Sequence, residues 1–161
     1  MASTQKNEPV VVGGVHHVGV QTADLPGSID WYQSFFGCTV SWTLTRFSAL
    51  SQRRLPGLTE LVELAGGDLR FHLFVRDTPR EEPISATARQ FQHLCLAVPS
   101  PESLRSWRDR WFDLYDSGRY SFVQAEPATE IDVDSDGMQS FYCLDINGLE
   151  FEFSYFPGSE T

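Results

Sequence analysis

Residues 15–36, VHHVGVQTADLPGSIDWYQSFF, decide how the rest of the chain is read. Val15–Gln21 is a short apolar and β-branched run, the signature of a strand. From Leu25 to Phe36 the residues Ile29, Tyr32 and Phe36 recur at i, i+3 and i+7, the period of an amphipathic helix, and Gly37 follows as a stop. The same order returns further along. Phe91–Val98 reads as a strand, and Pro101–Asp116 as a helix with Leu104, Trp107, Trp111 and Leu114 on one stripe. Pro101 stands near its start and Gly118 just beyond its end. Tryptophans at that spacing are core residues before they are anything else.

Three strand candidates follow each helix. They are Cys38–Thr45, Glu60–Leu64 and Leu69–Val75 in the first half, and Tyr120–Gln124, Ser140–Leu144 and Leu149–Phe156 in the second. Gly66-Gly67 and Asn147-Gly148 are turn signals between the last two strands of each half. The expectation is an α+β fold of two βαβββ modules, one at about 13–76 and one at about 90–156. The polar stretch 77–89, DTPREEPISATAR, connects them, and residues 1–12 and 157–161 are tails.

Composition narrows the function. At 161 residues, 41% hydrophobic and 13% aromatic, the chain has the makings of one domain with a real core. Its net charge is -10 and its one lysine is Lys6, whereas a nucleic-acid binder needs a basic surface to displace counterions from phosphates. No apolar run is long enough to span a bilayer, and residues 1–10 lack the pattern of a signal peptide, so a cytoplasmic protein is expected. Cys38, Cys95 and Cys143 are an odd set without CxxC spacing, expected as buried free thiols.

Three of the four histidines fall at repeat-related positions. Setting His17 on His93 also sets Leu69–Leu73 on Leu149–Phe153, which places His72 opposite Glu152. In the run Leu149-Glu150-Phe151-Glu152-Phe153, alternation puts the glutamates on one face and the phenylalanines on the other. A single strand histidine is commonly a hydrogen-bonded core residue, and a single strand glutamate commonly faces water. The joint pattern is different: neutral imidazole and carboxylate are the usual donors for divalent iron, manganese, nickel or zinc. His17, His93 and Glu152 would leave open positions for a substrate. His16, next to His17 on the presumed strand, is expected on the opposite face with no metal role.

In these residues the chain resembles the vicinal oxygen chelate superfamily, which includes glyoxalase I, fosfomycin-modifying enzymes, extradiol dioxygenases and bleomycin-resistance proteins. The resemblance covers about residues 14–156. It rests on His16-His17-Val18-Gly19-Val20 with Asp24-Leu25 and Trp31-Tyr32, on Phe91-Gln92-His93-Leu94, and on Ser140-Phe141-Tyr142 through Asp145, Gly148 and Glu152. It implies open, curled sheets forming a cup around a metal held by His17, His93 and Glu152. His72 takes the family's fourth position, as a further ligand or a hydrogen-bond partner of one. Tyr142 sits where relatives place a tyrosine facing substrate, a catalytic candidate, though an aromatic core residue fits the position as well.

Departures from the pattern narrow the chemistry that the resemblance implies. Gln21 stands where glutathione-dependent glyoxalases carry arginine, and no lysine is placed for a fosfomycin enzyme. The set His17, His93 and Glu152 is similar to the triad of extradiol dioxygenases, which implies Fe(II) first, with Mn(II), Ni(II) or Zn(II) as alternatives, and an oxygenase acting on an aromatic or enolic substrate. Those enzymes also have an acid–base histidine before the SFY segment, where this chain reads Ile131-Asp132-Val133-Asp134-Ser135-Asp136. A redox-neutral lyase, isomerase or epimerase is the alternative, and a small-molecule binding protein the third. A homodimer is implied, because families of this size pair modules across subunits.

Overall fold

In a computed structural model, which describes residues 14–77 and 92–158, the chain runs β1 (Val18–Gln21), α1 (Leu25–Phe36), β2 (Thr39–Leu44), α2 (Ala49–Arg54), β3 (Leu58–Gly66), β4 (Leu69–Arg76), β5 (His93–Ala97), α3 (Pro101–Asp116), β6 (Asp132–Val133), β7 (Gln139–Leu144) and β8 (Glu150–Tyr155). The expected tail at 1–12, most of the connector at 77–89 and the last residues of the expected tail at 157–161 lie outside the described residues.

Local chemistry sets the ends of the two long helices. The Asp24 side chain accepts from the Gly27 N–H at the start of α1, and Ser100 does the same for Ser103 in α3. Gly37 ends α1 at φ 69, a left-handed conformation that glycine adopts without steric cost. Both helices coincide with the stretches expected from apolar spacing.

The strands form two open four-stranded mixed sheets, ordered β1-β4-β3-β2 and β5-β8-β7-β6. In each, the first strand runs parallel to the last, and the remaining pairs are antiparallel. The registers repeat between the sheets. Gly19 sits across from His72 as Cys95 sits across from Glu152. On the other side, Glu63 sits across from His72 as Tyr142 sits across from Glu152.

Alternation then sorts the residues by face. Phe71 and Leu73 of β4, and Phe151 and Phe153 of β8, are buried. They meet the helices in one shared core. Phe36 packs on Phe71 at 4.9 Å and on Phe151 at 5.2 Å between ring centres, and Trp107 stacks on Phe153 at 5.2 Å. Burying a phenylalanine of this kind is worth about 2 kcal/mol. Arg70, His72, Glu150 and Glu152 lie on the other faces of the same two strands.

Polar bonds also join the modules. The Tyr32 hydroxyl donates to Asp145 Oδ2 at 2.8 Å, and Asn147 Nδ2 donates to Ser28 Oγ at 3.1 Å. Asp145 accepts from the N–H groups of Asn147 and Leu149 too, which shapes the β7–β8 turn. Burial raises the Asp145 carboxyl above its ordinary value, and these donors oppose the rise.

Three local expectations are corrected. Tyr120–Gln124 is not a strand, and the short β6 pairs with β7 instead. The apolar residues of that stretch go to the core: Phe122 packs on Trp111 and Tyr115, while the Tyr120 hydroxyl bonds Asp30 and Ser34. The first strand begins at Val18 and not at Val15, so that His16 and His17 precede it. Cys95 is a free thiol as expected, but it is exposed, because β5 buries only one of its faces.

Candidate metal centre

His93 and Glu152 lie side by side on the face of the second sheet that does not enter the core. His93 Nε2 is 3.0 Å from Glu152 Oε2, and His93 Nδ1 is 3.8 Å from Glu150 Oε1. Two ligands at right angles around an ion, each bonded at about 2.1 Å, are themselves about 3.0 Å apart. The same 3.0 Å is also the length of a direct N–H···O bond, so the spacing fits either. The other oxygen of Glu152 accepts from Ser154 Oγ at 2.8 Å, which fixes the carboxylate's rotation.

Tyr142 flanks this pair, its ring edge-on to His93 at 5.5 Å. Burial raises its hydroxyl above the ordinary value, and the charge and hydrogen bond of Glu152 raise it further. Tyr142 is thus a neutral donor across the physiological range, suited to a substrate oxygen. Cys95, register partner of Glu152, lines the same face.

The first sheet carries a second set. His17 precedes β1, and its ring stacks on His72 with centres 3.7 Å apart and planes 10° from parallel. His72 Nε2 donates to Glu63 Oε2 at 3.0 Å, and Arg70 Nη1 donates to Glu63 Oε1 at 3.2 Å. Glu63 is buried, and its carboxyl lies below the ordinary value, first through the His72 hydrogen bond, against burial, and then through the Arg70 charge. The His17 imidazole also lies below its ordinary 6.5, first through burial and then through the neighbouring His72 and His16 rings, with Glu63 opposing. That shift favours the neutral ring, the form that binds a cation.

His16 does not face away from His17. Their Nδ1 atoms are 3.1 Å apart, close enough to share one proton. The expected alternation fails because residues 14–17 precede the strand and have no pleat to impose it. The His16 contact occupies His17 Nδ1, which makes Nε2 its candidate ligand atom.

Within one chain the candidate ligands thus lie as His17 beside His72 and His93 beside Glu152. Among the described residues one set of three histidine, cysteine or acidic groups has all its ligand atoms within 4.8 Å of one another, namely His16, His17 and His72. His17, His93 and Glu152 are not such a set.

The sequence pattern gave no site role to Glu63 or Trp42, and placed Cys95 in the core. Glu63 had a signal. A tight turn at Gly67-Asp68 pairs Gly66 with Leu69, and counting back along both strands puts Glu63 across from His72. Trp42, edge-on to His72 at 5.0 Å, depends on a register shift between Val40 and Trp42 that no local pattern announces.

Comparison with known proteins agrees with this architecture. The family model of the Glyoxalase/Bleomycin resistance protein/Dioxygenase superfamily matches residues 14–153. No curated protein matches the sequence. Among solved structures, a glyoxylase/bleomycin resistance protein/dioxygenase domain from Frankia sp. EAN1pec is 17% identical, with TM-score 0.68, covering 93% of this chain and 96% of that one. A lactoylglutathione lyase from Agrobacterium tumefaciens is 18% identical, with TM-score 0.57, covering 89% and 94%. The fosfomycin resistance protein FosX from Listeria monocytogenes, complexed with Mn(II) and sulfate ion, is 14% identical, with TM-score 0.55, covering 90% and 94%. At these identities the likeness is one of fold.

Proposed function

The chain belongs to the Glyoxalase/Bleomycin resistance protein/Dioxygenase superfamily, and from that premise we propose that it is a metal-dependent enzyme acting on a small molecule with two adjacent oxygens. The observation that carries this reading is the His93–Glu152 pair, with its ligand atoms 3.0 Å apart on an accessible sheet face. His17 supplies the third ligand. The Mn(II) in the FosX neighbour supports a divalent ion in such a fold.

Among the described residues His17 is not grouped with His93 and Glu152, and the reading we favour completes the site from two copies. His17 comes from one subunit, and His93 with Glu152 from the other. His17 lies just before the edge strand β1 and His93 opens the edge strand β5, and edges of that kind call for cover. When bound, the ion supplies Lewis acidity and a charge that favours an oxygen-chelating anion over water. The protein's own part is to orient that anion. Tyr142 donates a hydrogen bond to one of its oxygens.

Two imidazoles and one carboxylate are the donor set of non-haem Fe(II) oxygenases, so the finer reading is an oxygenase for an aromatic or enolic substrate. A second reading, a redox-neutral lyase or isomerase, has its own support: residues 131–136 contain no histidine to serve as acid and base beside Tyr142. Elemental analysis of anaerobically purified protein, followed by oxygen-uptake assays with catechols and enols, tests this. Iron with oxygen uptake supports the oxygenase. Manganese, nickel or zinc with turnover independent of oxygen supports the lyase or isomerase. Protein that never takes up a divalent ion refutes both.

A further inference from the structure

We propose that His72 is not a metal ligand but a positioning residue, the platform on which the ligand His17 is held, and that Glu63 and Trp42 fix that platform in place. This rests on the metal-site reading above and specifies how its first-sheet half works.

Ring geometry makes the case. The lone pair of an imidazole nitrogen lies in the plane of its ring. His17 and His72 are stacked within 10° of parallel, with centres 3.7 Å apart. An ion bonded in the plane of His17 at about 2.1 Å is out of reach of a lone pair in a parallel plane that far away. For both rings to bind one ion, one of them must tilt out of the stack.

His72 is built against tilting. Its Nε2 donates to Glu63 Oε2 at 3.0 Å, and its side chain is only 14% exposed. Trp42 packs against it edge-on at 5.0 Å. Glu63 is in turn held by Arg70 at 3.2 Å and bonded by Ser41. Breaking this set would leave a buried carboxylate short of a donor. Among the described residues His17 has no comparable anchor on its Nε2 side. It is exposed, its Nδ1 meets the exposed His16, and its ring rests on His72. The fixed ring is the support and the free ring is the ligand, a division of labour general to metal sites whose outer partners orient the inner ones.

Substitution by phenylalanine separates a platform from a ligand, because it keeps the flat ring and removes the nitrogens. Co(II) affinity is measured by competition with a chelator for the wild type, His72→Phe and His72→Ala. Imidazole N–H signals shifted by the bound Co(II) are counted by proton NMR. The proposal expects His72→Ala to weaken binding by about 10-fold or more, and His72→Phe, which keeps the ring and loses the Glu63 bond, to weaken it clearly less. It also expects shifted signals from two imidazoles, both still present in His72→Phe. Equal loss in the two variants, no loss in either, or a third imidazole signal in the wild type overturns it. The wild-type signal count decides the matter even if a His72 variant does not fold. Retention of Co(II) by His17→Ala, His93→Ala and Glu152→Ala would instead overturn the metal-site reading, so the two failures are distinguishable.

Discussion

His72 and Glu152 occupy the same place in the two halves of the fold: each sits on the last strand of its module, across from the position two residues beyond a candidate ligand, His17 or His93. Their partners on the other side, Glu63 and Tyr142, correspond as well. One half has a carboxylate beside a tyrosine, and the other a histidine tied to a buried carboxylate. On the proposed reading that asymmetry gives one ligand in the first module and two in the second.

Tyr142→Phe is expected to lower turnover by about 10²-fold, the scale for losing one donor aimed at a developing oxyanion, while metal content stays at the wild-type level. Steady-state assays on the substrate class identified by oxygen uptake or isomerisation, paired with elemental analysis, check this. Loss of the metal in Tyr142→Phe would place the tyrosine in the ion's support instead.

Asp145→Ala is expected to destabilise the protein by about 2 kcal/mol or more. It strands the Tyr32 hydroxyl and the Asn147 and Leu149 N–H groups in a buried place and cuts the bond between the modules. Urea unfolding measures the change. Tyr32→Phe, which removes one donor and leaves Asp145 its others, should cost less.

The pH dependence of Glu63 has a definite sign. Its folded carboxyl lies below the ordinary 4.5, with the His72 hydrogen bond as the largest cause. The folded state therefore binds fewer protons at this site than the unfolded one. The stabilisation is complete above about 4.5 and is lost as pH falls through the folded value. Melting curves of metal-free wild type and Glu63→Gln should differ most near neutrality and converge in acid. A gap that widens below pH 4.5 would contradict this.

Both long helices, the repeat and the register that sets His72 against Glu152 could be read from the chain, because each rests on local spacing: three- and four-residue apolar steps, and turns at fixed positions. What could not be read depends on contacts distant in sequence. Phe122 looks like a strand residue until Trp111 and Tyr115 claim it for the core. His16 looks like the back of a strand until that strand is found to begin at Val18. Of the candidate ligands, His93 and Glu152 come together in one chain, whereas His17 is not grouped with them, a relation that no local spacing encodes.

Pairing of copies has a direct consequence for size. Light scattering at micromolar concentration should give twice the mass of one chain, with or without metal, if the shared surface extends beyond the ligands. A monomer that nevertheless binds one ion per chain would mean that a single copy brings the ligands together by itself.

The most direct test of the central claim, a metal centre made of His17 from one copy and His93 with Glu152 from another, is the metal content of a mixed protein. His17→Ala and Glu152→Ala, each purified alone, should hold no divalent ion, since each lacks a ligand in every site. Unfolded together and refolded as a mixture, they form mixed dimers in which one site contains all three ligands. The account predicts that the mixture regains about one ion per mixed dimer, while each variant refolded alone regains none. A mixture as empty as its components, or single variants that keep their metal, would contradict it.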